Sequence, residues 1–302
     1  MAKRTIAVIV TYFPHLASLQ TLLDSLVQQV QLVVIVDNGS SNVLASFIET
    51  RNKRGEHLIS LGANRGIATA QNVGIDWARQ HGADYILLFD QDSSPSHDMV
   101  HSLIAVVEAK SAAGVPVAAV GPRYIDDAQN SFLPFVRIKG LRLERQPCPC
   151  GETVTEVDYL HASGCLIPVA ALERVGNMRE DFFIDYVDIE WGLRAKQCGL
   201  QSFGVCAATM QHKLGDETIE FFGRTIPLHS PLRHYYHFRN AVCMYRQKSL
   251  PLQWKLADGC RLFLKYGFYA LFAKPHLGHL KMMSVGVWHG LRSRMGILNN
   301  SS

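Results

Sequence analysis

The sequence predicts an α/β fold in which a mostly parallel, Rossmann-like sheet carries helices on both faces and is followed by a helical C-terminal extension. In the first half of the chain, short apolar runs alternate with segments in which apolar residues recur at helical spacing. The runs lack apolar–polar alternation, so both faces of these strands are expected to be buried. Polar clusters with glycine follow several runs, where open sheets of this class bind ligands.

The elements of the first half are predicted in strand–helix order. The β-branched run at 6–12 predicts the first strand, and the apolar residues from Leu16 to Val30 predict the helix after it. The turn Asp37-Asn38-Gly39-Ser40 is expected to lead into a helix that ends near residue 54. Further strands are predicted at 32–36, 57–61, 85–89 and 115–120, and a further helix at 68–80.

The second half of the chain is less regular. Prolines, charged residues and Cys148-Pro-Cys150 predict a long loop or small insert over 126–156. A helix is expected at 189–197, ended by Gly199, and a last strand at 201–207. From Pro231 onwards the chain is predicted to be helical, which divides it into an α/β domain at 1–230 and an extension at 231–302.

The N-terminus and the cysteines both favour a cytoplasmic protein. The apolar stretch after the first basic residues is too short for a signal peptide and has no small-residue cleavage site. The seven cysteines are an odd number and are scattered, which predicts free thiols rather than a disulfide framework. A structural zinc at Cys148 and Cys150 is disfavoured because no second pair lies at zinc-site spacing.

The C-terminal extension is strongly basic and aromatic. From Arg233 to Ser302 the chain holds 11 Lys and Arg residues against one acidic residue, Asp258. Cations mixed with large aromatic residues favour an anionic membrane surface, with packing on the chain's own domain and nucleic-acid binding as less favoured alternatives. Charged residues interrupt every long apolar run, so the extension is expected to lie on a membrane rather than to cross it. A helix from about Leu262 to Leu291 is expected to place Phe263, Phe268, Tyr269, Phe272 and Trp288 against lipid, with Lys265, Lys274 and Lys281 at the headgroups.

Polar side chains follow four predicted strands. Thr11-Tyr12, Asp37 to Ser40, Gly62 to Gly66, and Asp90-Gln91-Asp92 come at successive strand ends. Together they predict a site for a planar base, a ribose and a diphosphate. Two carboxylates beside a diphosphate require a divalent cation between them, because otherwise all the charges repel. Taken singly, the segments could also be an ordinary turn and a helix cap.

The segments VTYF, VDNGS, NRGIATAQNVG and FDQDS, in this order, resemble the family 2 glycosyltransferases of the GT-A fold. The downstream segment REDFFIDYVDIEWGLRAKQCG resembles the acceptor-side motif of that family, although Val187 stands where a glutamate is usual. FIDYVDIEW and RHYYHFRN are closer to the bacterial rhamnosyltransferase branch. The resemblance covers roughly residues 5–245 and implies that residues 1–230 bind the nucleotide sugar and catalyse its transfer.

The resemblance also implies roles for individual residues. Asp188 would be the catalytic base, and Asp92 with His212 would bind Mg²⁺ or Mn²⁺. The expected nucleotide-binding residues are Thr11, Tyr12, Asp37, Asn64, Arg65 and Asp90. The sugar or acceptor pocket would contain Ser163, Gly164 and Trp191, and the diphosphate or an anionic acceptor would contact Arg233, Tyr236 and Arg239. Alternatives remain: Asp188 as an acid at a helix start, His212 as an ordinary histidine, and Trp191 as a core residue.

The expected reaction is transfer of L-rhamnose, with inversion, from dTDP-β-L-rhamnose to a lipid-linked or lipopolysaccharide saccharide at the inner face of the bacterial inner membrane. One alternative is a family 2 enzyme that uses a UDP-hexose donor. A nucleotidyltransferase would need a glycine-rich basic loop near the N-terminus, which VIVTYFPHLASL does not supply. A non-catalytic nucleotide-sugar-binding module would be expected to lack carboxylates at positions 90, 92 or 188, and all three are present.

Overall fold

The computed structural model describes residues 3–40, 43–51, 55–126, 131–140, 142–146, 148, 153–212, 217–221 and 224–298 of the chain. The helices in these residues are α1 Leu16–Leu26, α2 Val43–Arg51, α3 Ile67–Gln80, α4 Met99–Ala112, α5 Val169–Val175, α6 Val187–Gln197, α7 Pro231–Arg246, α8 Leu252–Phe272 and α9 His276–Leu291. The strands are β1 Thr5–Thr11, β2 Leu32–Asp37, β3 Glu56–Ser60, β4 Tyr85–Asp90, β5 Ser94–Pro95, β6 Val117–Asp126, β7 Ser131–Phe132, β8 Phe135–Lys139, β9 Arg142–Gln146, β10 Val154–Val157, β11 Leu166–Pro168, β12 Gln201–His212, β13 Glu217–Phe221 and β14 Arg224–Leu228.

One large mixed sheet organises the α/β domain, as the sequence predicts. Its strands run in the order β10-β12-β6-β11-β4-β1-β2-β3. β1 pairs in parallel with β2 and β4, and β2 pairs in parallel with β3. The carboxyl ends of these four strands therefore meet at one edge, which is where their polar residues were expected to form a site. β11 runs antiparallel between β4 and β6 and interrupts the parallel order.

The sheet is buried on both faces. Every residue of β1 is buried, and Leu19, Leu22, Leu23 and Leu26 of α1 pack against one face. The opposite face is covered by α3, α5 and α6, whose buried residues form a second cluster with Val8 and Val34. Burying one leucine side chain contributes about 1.5–3 kcal/mol. The unalternating apolar runs in the sequence are explained by this two-sided burial.

The insert at 126–156 is more regular than predicted. Instead of a loop, its described residues form short antiparallel strands: β7 pairs with β6, β8 with β9, and β10 with β12. The prediction of free thiols is wrong for one pair, because Cys148 and Cys206 form a disulfide that joins the insert to β12. These cysteines are 58 residues apart, so their spacing gave no signal. Cys150 lies outside the described residues.

The C-terminal extension is helical, but it is not the long helix over 262–291 that the sequence suggested. α8 ends at Phe272 and α9 starts after Pro275, which has no backbone N–H to continue a helix. α9 packs closely on α7: a Cβ added to Gly286 would lie 2.4 Å from the Tyr235 carbonyl oxygen. Tyr269, expected to face lipid, is buried. No helix in the described ranges is long and apolar enough to span a bilayer.

Candidate active site

Thr11 and Asp37 lie side by side at the carboxyl ends of β1 and β2. The two residues pair across the strands, and Thr11 Oγ1 lies 3.5 Å from Asp37 Oδ1. Both side chains are almost fully buried. The backbone N–H of Ser40 donates to both carboxylate oxygens of Asp37, at 3.1 and 3.2 Å. The turn predicted from Asp37 to Ser40 thus fixes this carboxylate at the carboxyl edge of the sheet.

A pair of asparagines shapes the loop after β3. The side-chain amide of Asn38 donates to Asn64 Oδ1 at 3.0 Å, and Asn38 Oδ1 accepts the backbone N–H of Arg65 at 2.8 Å. Asn64 Oδ1 also accepts the backbone N–H of Gly66 at 3.0 Å. Asn64 therefore holds the loop itself, while the Arg65 side chain is exposed. The sequence did not single out Asn38 by role, because an asparagine before glycine is common in turns.

Tyr12 and Gln91 tie the end of β1 to the two aspartates after β4. The Tyr12 backbone N–H donates to Gln91 Oε1 at 2.7 Å, and Gln91 Nε2 donates back to the Tyr12 carbonyl at 3.2 Å. The rings of Tyr12 and Phe13 remain 46% and 62% exposed. An exposed aromatic pair at this edge offers a surface on which a planar base can stack.

Asp90 and Asp92 flank Gln91, and Ser163 supports the backbone beneath them. Ser163 Oγ accepts the Asp90 backbone N–H at 3.1 Å and lies 2.6 Å from Ser93 Oγ. Gly164 donates its N–H to the Leu88 carbonyl in β4 at 2.7 Å. Ser163 and Gly164, predicted for the sugar or acceptor pocket, thus lie directly beside the two aspartates.

The ligand atoms offered by the two aspartates after β4 suit a divalent cation. β12 pairs with β5 through Met210–Pro95 and Gln211–Ser94, so His212 follows directly on the residue paired with Ser94, which is two residues after Asp92. The side chain of His212 lies outside the described residues. No group of three ligating side chains occurs in the part of the chain that the structure describes. Mg²⁺ and Mn²⁺ sites of nucleotide enzymes commonly use one or two carboxylates plus phosphate oxygens, which Asp90 and Asp92 could supply.

Asp188 lies in the first turn of α6 with its carboxylate held at both oxygens. Oδ1 accepts the backbone N–H of Ile189 at 2.8 Å, and Oδ2 lies 3.5 Å from His161 Nδ1. The Asp188 side chain is 23% accessible and that of His161 67%. The His161 ring packs edge-on against Tyr124, whose hydroxyl donates to the Ser163 carbonyl at 2.6 Å. His161 therefore connects the predicted base to the Ser163 segment.

His161 is a residue that sequence reasoning missed, although it lies in the quoted segment HASGC. Protein atoms packed around the ring disfavour its protonation, but the hydrogen bond and charge of Asp188 outweigh this and raise the pKa of His161. The only sequence signal was its position two residues before Ser163. A single histidine in such a segment does not indicate a carboxylate partner 27 residues later.

The loop before Asp188 has an unusual backbone. Phe183, Asp185 and Tyr186 have φ angles of 67°, 62° and 63°, which side chains with a Cβ rarely adopt. Such residues cost about 1–3 kcal/mol each and persist only where their surroundings hold them. This loop sets the start of α6 and therefore the position of Asp188.

Asn240 and Arg239 of α7 hold that loop. Asn240 Nδ2 lies 2.8–2.9 Å from three carbonyl oxygens, those of Phe182, Ile184 and Asp185. Arg239 Nη2 donates to the carbonyls of Asp181 and Phe182 at 3.1 and 2.9 Å. Both side chains are fully buried. The C-terminal extension thus forms part of the scaffold that presents Asp188.

Three residues that were predicted to contact a ligand are instead buried and hold the backbone around the site. Arg239, expected to contact a diphosphate or acceptor, is committed to backbone carbonyls. Tyr236 is buried, stacks on Phe183 with ring centroids 4.7 Å apart, and accepts the Leu298 N–H at 3.0 Å. Trp191 is 3% exposed, donates to the Gly176 carbonyl at 2.8 Å and lines a small cavity beneath Asp188. Arg233 stays partly accessible, 3.4 Å from Asp185.

The loop after β3 and the loop before Asp188 are in direct contact. The Ile67 N–H donates to the Phe183 carbonyl at 2.7 Å. A Cβ at Gly66, whose φ is 89°, would lie 2.6 Å from the same oxygen, so only glycine allows this approach. The side chain of Asn72 in α3 also bridges the N–H and carbonyl of Met178, at 2.9 Å each. The two loops form one packed unit.

Known proteins resemble the chain in both sequence and fold. Residues 7–153 match the family profile described as Glycosyl transferase family 2. The dTDP-rhamnosyl transferase RfbF of Shigella flexneri is 37% identical over 298 residues, which cover 98% of each chain. A crystal structure of GalNAc-T7 with UDP, GalNAc and Mn²⁺ matches with a TM-score of 0.61 and 12% identity, over 90% of this chain and 58% of that one.

A second solved structure, S. aureus TarS 1-349 in complex with UDP-GlcNAc, matches with a TM-score of 0.59 and 16% identity, over 96% of this chain and 81% of that one. At such low identity these two structures bear on the fold alone. The fold agrees with the GT-A architecture, and the full-length similarity to RfbF extends through the C-terminal helices. The chain therefore belongs to glycosyl transferase family 2, in the branch that includes the dTDP-rhamnosyl transferase of Shigella flexneri.

Proposed function

We propose that the protein transfers L-rhamnose from dTDP-β-L-rhamnose, with inversion, to a saccharide acceptor carried by a lipid. The observation that carries the proposal is the 37% identity with a dTDP-rhamnosyl transferase over 98% of the chain. The site geometry supports it: an aromatic pair, buried Asp37 and two aspartates lie at the carboxyl edge of the sheet, and the partly exposed Asp188 in the first turn of α6 is assigned to the acceptor side.

The donor edge would bind the nucleotide through complementary groups. The Tyr12 and Phe13 rings offer a face for thymine, and buried Asp37 can accept a hydrogen bond from the base. Thr11, Asn64 and Arg65 complete the proposed nucleoside pocket, with Asp90 towards the ribose and diphosphate. The thymine methyl adds only about 1 kcal/mol of apolar contact over uracil, so selectivity must depend largely on the sugar.

Asp188 would act as the general base in a single displacement. The acceptor hydroxyl oxygen forms a bond to the anomeric carbon while the bond from that carbon to the diphosphate oxygen breaks. The hydroxyl proton passes to Asp188, and dTDP leaves with the bonding electron pair. One displacement inverts the anomeric centre, so a β-linked donor gives an α-L-rhamnoside. A positioned base accelerates such a step by about 10²–10⁴-fold.

Asp90 and Asp92, with His212, would hold Mg²⁺ or Mn²⁺ at the diphosphate. When bound there, the ion neutralises the negative charge that develops on the leaving group. The protein would position both carboxylates beside the diphosphate. Ser163 and Gln91 anchor the backbone that carries them.

The extension would hold the enzyme on an anionic membrane surface. Large apolar side chains of α8 and α9 are exposed: Phe263 78%, Leu264 70%, Leu271 70%, Leu277 81% and Trp288 51%. The face differs from the one expected from sequence, because Tyr269 is buried and Phe268 is partly buried. Each cation near anionic lipid contributes roughly 1 kcal/mol. Co-sedimentation with vesicles should show binding that requires anionic lipid and weakens at high salt; equal binding to neutral vesicles would contradict this.

Side-by-side turnover of dTDP-β-L-rhamnose, UDP-glucose and UDP-galactose tests the proposed activity. Release of dTDP or UDP is measured with and without Mn²⁺, and Asp188→Asn serves as the inactive control. We expect metal-dependent turnover with dTDP-rhamnose as the preferred donor. Preference for a UDP-hexose would overturn the donor assignment, and diphosphate release from a nucleoside triphosphate would indicate a nucleotidyltransferase instead.

A further inference from the structure

Lys265 and His237 meet between α7 and α8, with Arg233 and Arg261 one turn away on the same two helices. We call these four nitrogen-bearing side chains the α7–α8 cleft. Arg233 and His237 are four residues apart on α7, and Arg261 and Lys265 are four residues apart on α8, so each pair lies on one helix face. Lys265 Nζ lies 3.3 Å from His237 Nε2, which joins the two helices. The His237 ring lies 5.0 Å from that of Tyr186, in the loop before Asp188.

The cleft concentrates positive charge. Burial lowers the pKa of His237 well below its usual range, and Lys265, His234, His229 and Arg233 lower it further, so His237 is neutral. A neutral His237 can accept a hydrogen bond from Lys265 through Nε2. The two other N–H groups of the Lys265 ammonium are then available to a ligand.

The carboxylates near the cleft neutralise only part of its charge, because the ion pair of Asp185 is with Arg233. Asp258 Oδ2 accepts the hydroxyls of Tyr186 and Tyr245, both at 2.7 Å. Burial raises the pKa of Asp185, while Arg233, 3.4 Å away, opposes this shift. Among the described residues, no carboxylate lies within ion-pair distance of Arg261 or Lys265.

Lys265 is exposed and yet surrounded by protein. Burial lowers its pKa, with Asp258 and Asp185 opposing and Arg261 adding to the effect. Its ammonium reaches across to His237 on α7, so it lies in the space between the two helices while the side chain stays exposed. Holding like charges together in such a space is unfavourable unless an anion joins them. A phosphate group has the charge and the acceptor oxygens that this arrangement requires.

The cleft lies between the proposed base and the exposed apolar surface. Asp185, 3.4 Å from Arg233, and Tyr186, whose ring lies 5.0 Å from that of His237, are three and two residues before Asp188. Phe263 and Leu264, on the same helix as Arg261 and Lys265, are exposed. A ligand in the cleft would therefore have a sugar site on one side and an apolar surface on the other.

We propose that the α7–α8 cleft binds the phosphate or diphosphate that links the acceptor saccharide to its lipid. The saccharide then extends towards Asp188, and the lipid lies along the exposed side chains of α8. This assignment rests on the proposed function, because it deepens the description of the acceptor. It uses Arg261, Lys265 and His237, none of which has a role in the donor site.

A binding experiment tests the cleft without turnover. Farnesyl diphosphate is titrated into the full chain with saturating dTDP filling the donor site, and its affinity is compared in the parent, Lys265→Gln, and Arg261→Gln combined with Lys265→Gln. We expect a loss of ~10-fold for the single variant and more for the double, since charge-assisted contacts to phosphate are lost. Lys248→Gln, which removes an exposed cation after α7, is the control and should bind as the parent does.

A kinetic experiment distinguishes this proposal from the proposed function. Lys265→Gln should raise KM for a diphosphate-linked lipid acceptor about tenfold. It should leave unchanged KM for the same saccharide without phosphate, KM for the donor, and donor hydrolysis. If Lys265→Gln hydrolysed dTDP-rhamnose normally and bound farnesyl diphosphate as tightly as the parent, phosphate binding by the cleft would be wrong, while the proposed function would stand. Loss of affinity for anionic vesicles with unchanged KM for the acceptor would assign Lys265 to lipid headgroups and also overturn it.

Discussion

The donor edge and the acceptor side of the site are built in different ways. At the donor edge, adjacent parallel strands bring together Thr11 with Asp37, 26 residues apart, and Asn38 with Arg65, 27 residues apart. The same strand order brings Tyr12 to Gln91, 79 residues apart. On the acceptor side, the loop before Asp188 is held by Asn240 from 55 to 58 residues away. The donor edge thus follows from the sheet, whereas the acceptor side requires the C-terminal helices to be docked.

Replacing Asp188 with Asn should produce the largest effect on the transfer rate, and this effect should be confined to the acceptor side. Without a base, transfer is expected to fall by about 10²–10⁴-fold, while dTDP binding persists. Steady-state turnover and calorimetry with dTDP measure the two quantities. Turnover near the parent value would mean that Asp188 only starts α6.

Replacing Asn240 with Ala should damage the acceptor side from a distance. The carbonyl oxygens of Ile184 and Asp185 lose their side-chain donor, whereas that of Phe182 keeps Arg239. Each unsatisfied buried group costs about 1–3 kcal/mol, so the strained loop should relax. We expect transfer to fall by ~10–100-fold, since a misplaced catalytic group loses up to about that factor, with near-parental affinity for dTDP. Circular dichroism checks folding. If dTDP affinity fell as much as transfer did, the two sides would not be separable.

Asp92→Ala should act on the donor edge alone. Without this carboxylate the diphosphate loses its bridging cation, so Mn²⁺ should no longer strengthen dTDP binding. Titration of dTDP with and without Mn²⁺ measures this, and Asp98→Ala, an exposed aspartate just before α4, is the control. If Mn²⁺ strengthened dTDP binding by Asp92→Ala as much as by the parent, Asp92 would be a helix-capping residue and not a metal ligand.

Asn38→Ala is the donor-side counterpart of Asn240→Ala. It removes the contacts to Asn64 and to the Arg65 N–H, which shape the loop after β3. Because hydrogen bonds of this kind contribute about 0.5–1.5 kcal/mol each, donor KM should rise by several-fold while kcat changes little. A fall in kcat with unchanged donor KM would contradict the division between the two sides.

His161→Gln should have the smallest effect, which is a change in the free energy of unfolding that depends on pH. The folded protein raises the pKa of His161, so the stability that this residue contributes is present below its unfolded pKa and is lost as pH rises through the folded value. The difference in unfolding free energy between parent and variant should therefore be larger at pH 6 than at pH 8.5. Denaturant titration at both values measures it, with His97→Gln as control. A pH-independent difference would mean that His161 does not interact with ionised Asp188.

The parts of the fold and site that local sequence predicted are those made by neighbouring strands. Apolar runs gave the strands, and the polar residues after them gave Thr11, Asp37, Asp90 and Asp92 at one edge. The shared position of these four residues follows from strand order alone, because neighbouring parallel strands end at the same edge of the sheet.

The parts that sequence did not predict depend on distant packing. Arg239 and Tyr236 look like ligand-binding residues in RHYYHFRN, but α7 turns them towards the loop before Asp188 and towards Leu298. Nothing in the local pattern distinguishes an arginine that binds phosphate from one that binds backbone carbonyls. The Cys148–Cys206 bond was missed for the same reason, since its partners meet only after the insert packs on β12.

The hydrogen bond from the Ile67 N–H to the Phe183 carbonyl bears on how such an enzyme could be redesigned. A donor loop grafted from a relative with another sugar preference would also need a glycine at position 66 and a matching backbone at position 183. The loop after β3 and the loop before Asp188, which we propose to serve the donor and the acceptor, are therefore not interchangeable modules. Donor preference would have to be altered by exchanging segments 64–67 and 181–188 together, along with the α7 side chains that hold the second segment in place.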